Sequence, residues 1–449
     1  INQGTLCARG QASMQSLYSP NRHAFPIADG KQIPWEEGMQ QFSAIIQAAS
    51  GAIAYLGKPA TGSEGSFVNE WLQAVGGGER VNFDLLTQNS QTAANKIAFG
   101  RADIPEYAFE KAGILLNFSA DFLENWGNSV ENARRFADMH AYKNGKKNRF
   151  IHISPHVSLT GAKSDRWIAI NPGTEGLVAL AIASVIQEGN ETYRFLTKYL
   201  KAFTPDKVAE ATGVSAEILR ELANDAMEHG PVLALGGGNV SATDQNVETL
   251  VAVNILNAVS GALNKTIRFY DQTAAESSTH QDLTQLISDL EAGKIKLLII
   301  DDTNPVYALP PSLGFKQAIK KAFVVSLASQ KSETSHSANL VLPALTAYES
   351  WGDAFPRSGV RSIQQPVMST VNTFDAKARE DILLSVSQNV NNKSFSGNSS
   401  YLDYLQNNWK KIQRNVGDTR KFESFWIGVL ENGGLFEKPK YIQAYLNRK

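Results

Sequence analysis

From residue 112 to residue 343 short apolar stretches alternate with segments of helical length. This rhythm leaves little room for anything but layered α/β units with parallel sheets. Ala112 to Phe118, Arg149 to Ser154, Asp165 to Ile170 and Pro231 to Leu235 read as buried strands. Ile295 to Ile300, Phe323 to Leu327 and Asn339 to Leu342 form a second set, preceded far upstream by Ala52 to Leu56 and Arg80 to Asp84. Trp35, Met39, Phe42, Ile45 and Ile46 recur at helical spacing behind Pro34, predicting a helix over 35–48. Further helices are predicted over 66–75, from a Ser129 cap, over 176–187 and 243–260, over 282–292 up to Gly293, and over 312–321, with a small helical insertion over 191–228. Gly236-Gly237-Gly238-Asn239 lies between a strand and a long helix, where glycines let a phosphate approach backbone N–H groups. It matches neither common phosphate-loop pattern, and a crowded strand-to-helix turn explains the glycines equally well.

Composition narrows the functional classes. Forty-three basic against forty-four acidic residues leave a net charge of −1, so nothing global draws the chain to nucleic acid or an anionic membrane. The longest charge-free apolar run, Gly176 to Ile186, falls short of the about 20 residues that cross a bilayer. The single cysteine, Cys7, can neither close an internal disulfide nor alone build a metal site of several sulfur ligands. His152 and His156 straddle a strand end and Pro155, a poor metal-ligand spacing. Asp301 and Asp302 sit at a strand carboxyl end, where open α/β sheets bind ligands, and read otherwise as a solvated turn before Asn304-Pro305. The basic run Lys143 to Arg149 reads as a solvated loop, and 388–400, rich in Asn, Ser and Gly, as a linker. The opening at Ile1, without methionine or signal, predicts numbering that begins inside a longer product.

Several ordered motifs resemble the molybdopterin oxidoreductase superfamily of the dimethyl sulfoxide reductase type. Leu6-Cys7-Ala8-Arg9-Gly10 followed by Tyr18-Ser19-Pro20-Asn21-Arg22 and Pro26 looks like that family's cluster-binding end. Ile33-Pro34-Trp35-Glu36-Glu37 resembles its "W-x-E-A" helix start. Ile153-Ser154-Pro155, Asn171-Pro172-Gly173-Thr174-Glu175, Asp302-Thr303-Asn304-Pro305 and Glu333-Thr334 to Leu342-Pro343 resemble its later motifs in order. Phe118 to Trp126 and Cys7 to Ala12 are most similar to one branch, the molybdopterin-like half of the large iron-sulfur subunit of alternative complex III.

The resemblance implies two doubly wound, mostly parallel α/β sheets, one inserted in the other, without the family's C-terminal β-barrel in this chain. The expected partition is 1–34 as a remnant of the cluster domain, 35–105 with 285–385 as the first α/β domain, 112–265 as the inserted domain, and 388–449 as linker and helical tail. It also implies vestigial pocket positions Ser119, Ser154, Glu175, Gly237 and Asn304, with Ser154 replacing the family's guanosine-reading Asp, Glu175 one methylene longer than the family's acid, and Arg9 between cluster and pterin. No Cys lies over 84–120 to bind molybdenum; Ser90 and Ser119 are the oxygen alternatives there, and Cys7 is an orphan cluster-ligand position. The expected function is a non-catalytic scaffold in a membrane-bound quinol oxidoreductase, on the periplasmic side. Its expected partners are a quinol-oxidising membrane subunit, multiheme cytochrome c subunits and a ferredoxin-like cluster domain; this chain itself is expected to hold no cofactor. The competing readings are a fragment of an active molybdenum bis-guanine-dinucleotide enzyme, such as a polysulfide or thiosulfate reductase, and a free nucleotide-binding module using Gly236 to Asn239.

Overall fold

The computed structural model describes residues 4–84, 88–143, 145–188, 190–238, 246–271, 278–391, 395 and 397–448. The chain divides into two compact units. A host unit is made of residues 9–86 and 274–439, and an inserted unit is made of 87–273 together with 1–8 and 440–449. In chain order the strands that carry the argument are β1 (Ile53–Gly57), β2 (Glu79–Asn82), β3 (Ile114–Phe118), β4 (Arg149–Ser154) and β5 (Arg166–Ala169). They continue with β6 (Val232–Gly236), β7 (Leu297–Asp301), β8 (Phe323–Ala328), β9 (Leu340–Pro343) and β10 (Gly352–Arg357). The principal helices are α1 (Trp35–Ala49), α2 (Ser63–Ala74), α3 (Ser129–His140), α4 (Glu175–Gln187), α5 (Asn246–Val259), α6 (Arg379–Val390) and α7 (Tyr401–Asn415).

The host sheet runs β2-β1-β7-β8-β9 in parallel, and an antiparallel hairpin, Ile27–Ala28 with Lys31–Gln32, closes its β9 edge. Every residue of β1 and of β7 is buried, as expected of parallel strands covered on both faces. The inserted sheet runs β5-β4-β3-β6, again parallel. Both orders reverse direction beside their first strand, between β1 and β7 in the host unit and between β3 and β6 in the inserted one. Such reversals leave a crevice at the strand carboxyl ends, the usual ligand position of doubly wound sheets. Among the described residues no sheet closes into a barrel; two further three-stranded sheets are open.

The structure moves several expected boundaries. Residues 89–99 form a helix whose Ala98 and Phe99 join the inserted unit's core, so the division falls at 87 rather than near 106. Residues 9–34 pack into the host unit, where Leu17 and Arg22 are buried. The region expected as linker and helical tail does contain helices 401–415 and 422–432, but Gly434–Phe436 pairs with Val360–Gln364, which pairs in turn with β10. Residues 440–449 belong to the inserted unit, Tyr441–Ile442 pairing with Phe269 and Tyr270. The cap of α3 is Asn128, whose side chain accepts from Glu131 N, rather than Ser129. Gly314, at φ 70°, splits the expected 312–321 helix into short turns.

One glycine is dictated by close approach. A Cβ on Gly113, just before β3, would stand 2.1 Å from the His229 carbonyl and 2.9 Å from that of Gly230. Gly113→Ala should therefore cost about 2 kcal/mol of stability, read as a lowered urea midpoint with unchanged slope. An unaltered midpoint would mean that the 229–230 backbone yields freely.

Candidate functional site: the carboxyl ends of the two sheets

In the inserted unit the chain leaves β3 through Ser119, held at φ 60°, a left-handed backbone uncommon outside glycine. That turn aims the Ser119 hydroxyl at the first residue of α4, where it donates to Glu175 Oε1 at 2.9 Å. Ser119 and Glu175 are each 1% exposed, and Glu175 Oε2 has no partner. Beside them, Asn117 Nδ2 donates to the Ala120 carbonyl and lies 2.9 Å from His152 Nδ1. Burial, and secondarily the charge of His156, holds the His152 pKa down to about 4. Ser154, at the end of β4, donates its hydroxyl to the His156 carbonyl, while its own carbonyl accepts from Trp167 Nε1 at 3.0 Å.

The glycine turn after β6 is a packing device. A Cβ on Gly236 would meet Val253 of α5 at 2.9 Å, and one on Gly237 would meet Leu250 at 3.1 Å, so these glycines let α5 lie directly on the strand end. Trp126 closes the other side, its Nε1 donating to the Gly236 carbonyl at 3.1 Å. Around Gly238 a Cβ would find the Ser119 carbonyl at 3.5 Å and the Trp126 ring at 3.7 Å. Asn239, also part of the expected phosphate turn, lies outside the described residues.

In the host unit the corresponding crevice is filled by charge. Asp301, the last residue of β7, is 3% exposed, which corrects the solvated-turn reading: its neighbours in the sheet bury it. It accepts from the Tyr55 hydroxyl at 2.7 Å and from Arg379 Nη1 at 2.9 Å. The same guanidinium reaches Glu380 at 3.5 Å and Glu64 at 4.0 Å. Asp302 adopts φ 43°, takes the Ser329 N–H and hydroxyl, and pairs with Lys58 at 3.2 Å. Burial raises Glu64 and pushes Glu380 up to about 7, outweighing the pull of Arg379. Asp353 of β10 reaches the first turn of α2, accepting from the Ser63 N–H at 2.7 Å and the Ser63 hydroxyl at 2.6 Å.

Four of the expected pocket positions, Ser119, Ser154, Glu175 and Gly237, fall at the carboxyl end of the inserted sheet. Asn304 lies in the host unit. There it ties two loops together, accepting from the Thr334 N–H and hydroxyl and donating to Glu333 at 2.7 Å. Cys7 is exposed, Arg9 lies in the short helix Ala8–Ala12, and Ser90 sits in the first turn of the helix Asn89–Phe99. Two residues of the basic run pair with acids elsewhere in the unit, Lys147 with Asp165 at 2.5 Å and Arg149 with Asp225 at 2.7 Å. Among the described residues the one group of three side chains spaced for a metal is Asp225, Glu228 and His229, just before β6 at the amino end of the strands. Sequence reasoning missed Arg379, Glu380, Glu64 and Asp353; the adjacent Arg379 and Glu380 lie far in the chain from Glu64 and from their partner Asp301, and no local pattern links them.

A pair of crevices at reversal points of parallel sheets, one unit threaded into the other, defines a protein built from dinucleotide-type α/β modules. The molybdopterin oxidoreductase family profile matches residues 28–389, and the chain belongs to that family. Among its relatives is the menaquinone reductase molybdopterin-binding-like subunit of Nitratidesulfovibrio vulgaris, 28% identical over 86% of this chain and 60% of that protein. Another is the thiosulfate reductase molybdopterin-containing subunit of Salmonella typhimurium, 21% identical over 61% of this chain and 38% of that protein. Acetylene hydratase from Pelobacter acetylenicus shares the fold, with a TM-score of 0.72 over 91% of this chain and 68% of that one, at 13% identity. The chain thus spans about 60% of the length of its first curated relative. Among the described residues no helix is long and apolar enough to cross a membrane.

The residues present fit the family's cofactor poorly. No cysteine thiolate stands over 84–120 to bind molybdenum, and the Ser119 hydroxyl there directs its proton to Glu175. The position expected to read the base holds Ser154, which offers no charged acceptor and gives its hydroxyl to a backbone carbonyl. A Cβ on Gly238 would stand 3.5 Å from the Ser119 carbonyl and 3.7 Å from the Trp126 ring, so the described part of the glycine turn lies close to both. Glu175 Oε2, Asp121 Oδ1 and His152 Nε2 are the buried polar atoms here without a partner.

Proposed function

We propose that this chain is a catalytically silent scaffold, shaped like a molybdopterin enzyme, in a membrane-bound quinol oxidoreductase of the alternative complex III type. The observation that carries the reading is the committed state of the inserted crevice: Ser119 on Glu175, and Trp126 on the Gly236 carbonyl. A working site would keep those groups available for its cofactor. The relative named as a molybdopterin-binding-like subunit of a menaquinone reductase supports the assignment to a quinone-linked complex. In this reading the chain sits on the periplasmic side, held by partners that carry iron-sulfur clusters and hemes and by a quinol-oxidising membrane subunit.

A second reading, a piece of an active molybdenum enzyme, is favoured by the unpartnered Glu175 Oε2 and by the likeness to the thiosulfate reductase subunit. Elemental analysis of the protein purified from its native membranes decides between them. The scaffold predicts iron from partners and molybdenum far below one atom per chain; stoichiometric molybdenum would overturn it.

A further inference from the structure

α2 follows β1 directly, and the N–H groups of a helix in that position are what phosphates use in nucleotide-type α/β units. Here an anion already stands there, and the chain supplies it. Asp353 takes both the N–H and the hydroxyl of Ser63, and its Oδ2 also accepts from Trp409 Nε1 at 3.0 Å. The loop before α2 is shaped for this carboxylate. Gly62 lies at φ 85° and ψ −146°, a conformation nearly restricted to glycine, and a Cβ on it would stand 2.5 Å from Asp353 Oδ1. The Phe355 N–H donates to Thr61 Oγ1 at 3.0 Å, pinning β10 to the same loop.

A second, independent feature of the host unit is a buried donor without a partner. The Tyr401 hydroxyl is buried without a hydrogen-bond partner, on a residue 2% exposed, in the electrostatic field of Glu380, Asp353 and Glu64. Burial also raises the Asp353 pKa, the opposing pull coming from its Ser63 and Trp409 donors.

We propose that Asp353 is a tethered anion occupying the phosphate seat of the host unit, so that the unit keeps the form of a nucleotide fold while refusing phosphate-bearing ligands. This deepens the silent-scaffold reading and rests on it for its biological meaning. The test uses inorganic phosphate as the probe, at constant ionic strength set with chloride. Wild-type protein should show no phosphate-dependent change in melting temperature. Asp353→Gly removes the carboxylate and leaves the Ser63 and Trp409 donors facing a vacancy. It should melt lower and regain stability saturably with phosphate.

Asp353→Asn preserves volume without charge, and serves even if the glycine variant does not fold. It should melt about 4 °C or more below wild type and show no phosphate response. A glycine variant indifferent to phosphate, or an asparagine variant as stable as wild type, would overturn the tethered anion and leave the scaffold reading standing. Molybdenum in the native chain would do the reverse.

Discussion

Arg22→Ala should remove about 3–5 kcal/mol of the stability of the host unit, the cost of stranding a buried charge. Neither side chain of the Arg22–Glu349 pair has any exposed surface, and their nearest atoms are 2.8 Å apart. Arg22 also donates to the Leu17 carbonyl at 3.0 Å and stacks over Phe374. Burial alone would raise the Glu349 pKa. Donation from the Thr346 and Val371 backbones, from Arg22 and from the Thr346 hydroxyl overcomes it, and the carboxyl ends below its ordinary range. A depressed folded pKa stabilises the protein above the unfolded value and loses that contribution as pH falls through the folded one. The gap between wild type and Arg22→Ala should therefore be full at neutral pH and shrink in acid. Urea unfolding followed by tryptophan fluorescence measures both. The double variant Arg22→Met with Glu349→Gln should recover part of the loss, since no charge is left unpaired and the amide oxygen can still accept from the backbone donors of this site. A single-variant loss under about 1 kcal/mol at neutral pH would show that water reaches Glu349 readily.

Removing the other central guanidinium, in Arg379→Ala, should cost about 3 kcal/mol at pH 8, because Asp301, Glu64 and Glu380 then lose the cation that joins them. The sign of the pH dependence is opposite to that of Glu349. Burial lifts Glu380 from 4.5 to about 7, so the fold prefers its protonated form and stability declines as pH rises from 4.5 through 7. Arg379→Ala should accordingly be least harmful near pH 5, where the carboxyls take up protons, and most harmful at pH 8. Glu380→Gln, a neutral isostere, should flatten the decline between pH 4.5 and 7. Thermal melts from pH 4.5 to pH 8 check both variants. An Arg379→Ala deficit that is the same at pH 5 and pH 8 would exclude proton uptake by this cluster.

The parallel strands were legible because burial on both faces forces nearly continuous apolar runs, as in Leu297 to Ile300, and Arg149–Ser154 is found where the sequence predicts it. Edge and surface strands were not. Gly352–Arg357 and Val360–Gln364 mix polar with apolar residues on half-exposed surfaces and carry no periodic signal strong enough to declare them. At the site, Ser119, Ser154 and Glu175 could be named because ordered motifs fix their place along the chain. Asp353 and Arg379 could not, because what makes them important is a neighbour distant in sequence. Ser63 lies 290 positions from Asp353 and Asp301 lies 78 from Arg379, and local reading cannot see pairings of that span. The glycine turn was ambiguous for a physical reason: space for a phosphate and space for a helix demand the same missing Cβ.

The placing of one unit's residues between two segments of the other along the chain also sets a timetable for synthesis. Tyr55 of β1 emerges from the ribosome 246 positions before Asp301 of β7, the strand it must lie beside. At bacterial or eukaryotic elongation speeds that wait is roughly 10–50 s. Throughout it, β1 has two apolar faces and only half its lattice. The intervening residues have time to collapse on their own, whereas the nascent front half depends on chaperones or on a loosely paired neighbour to stay out of aggregates.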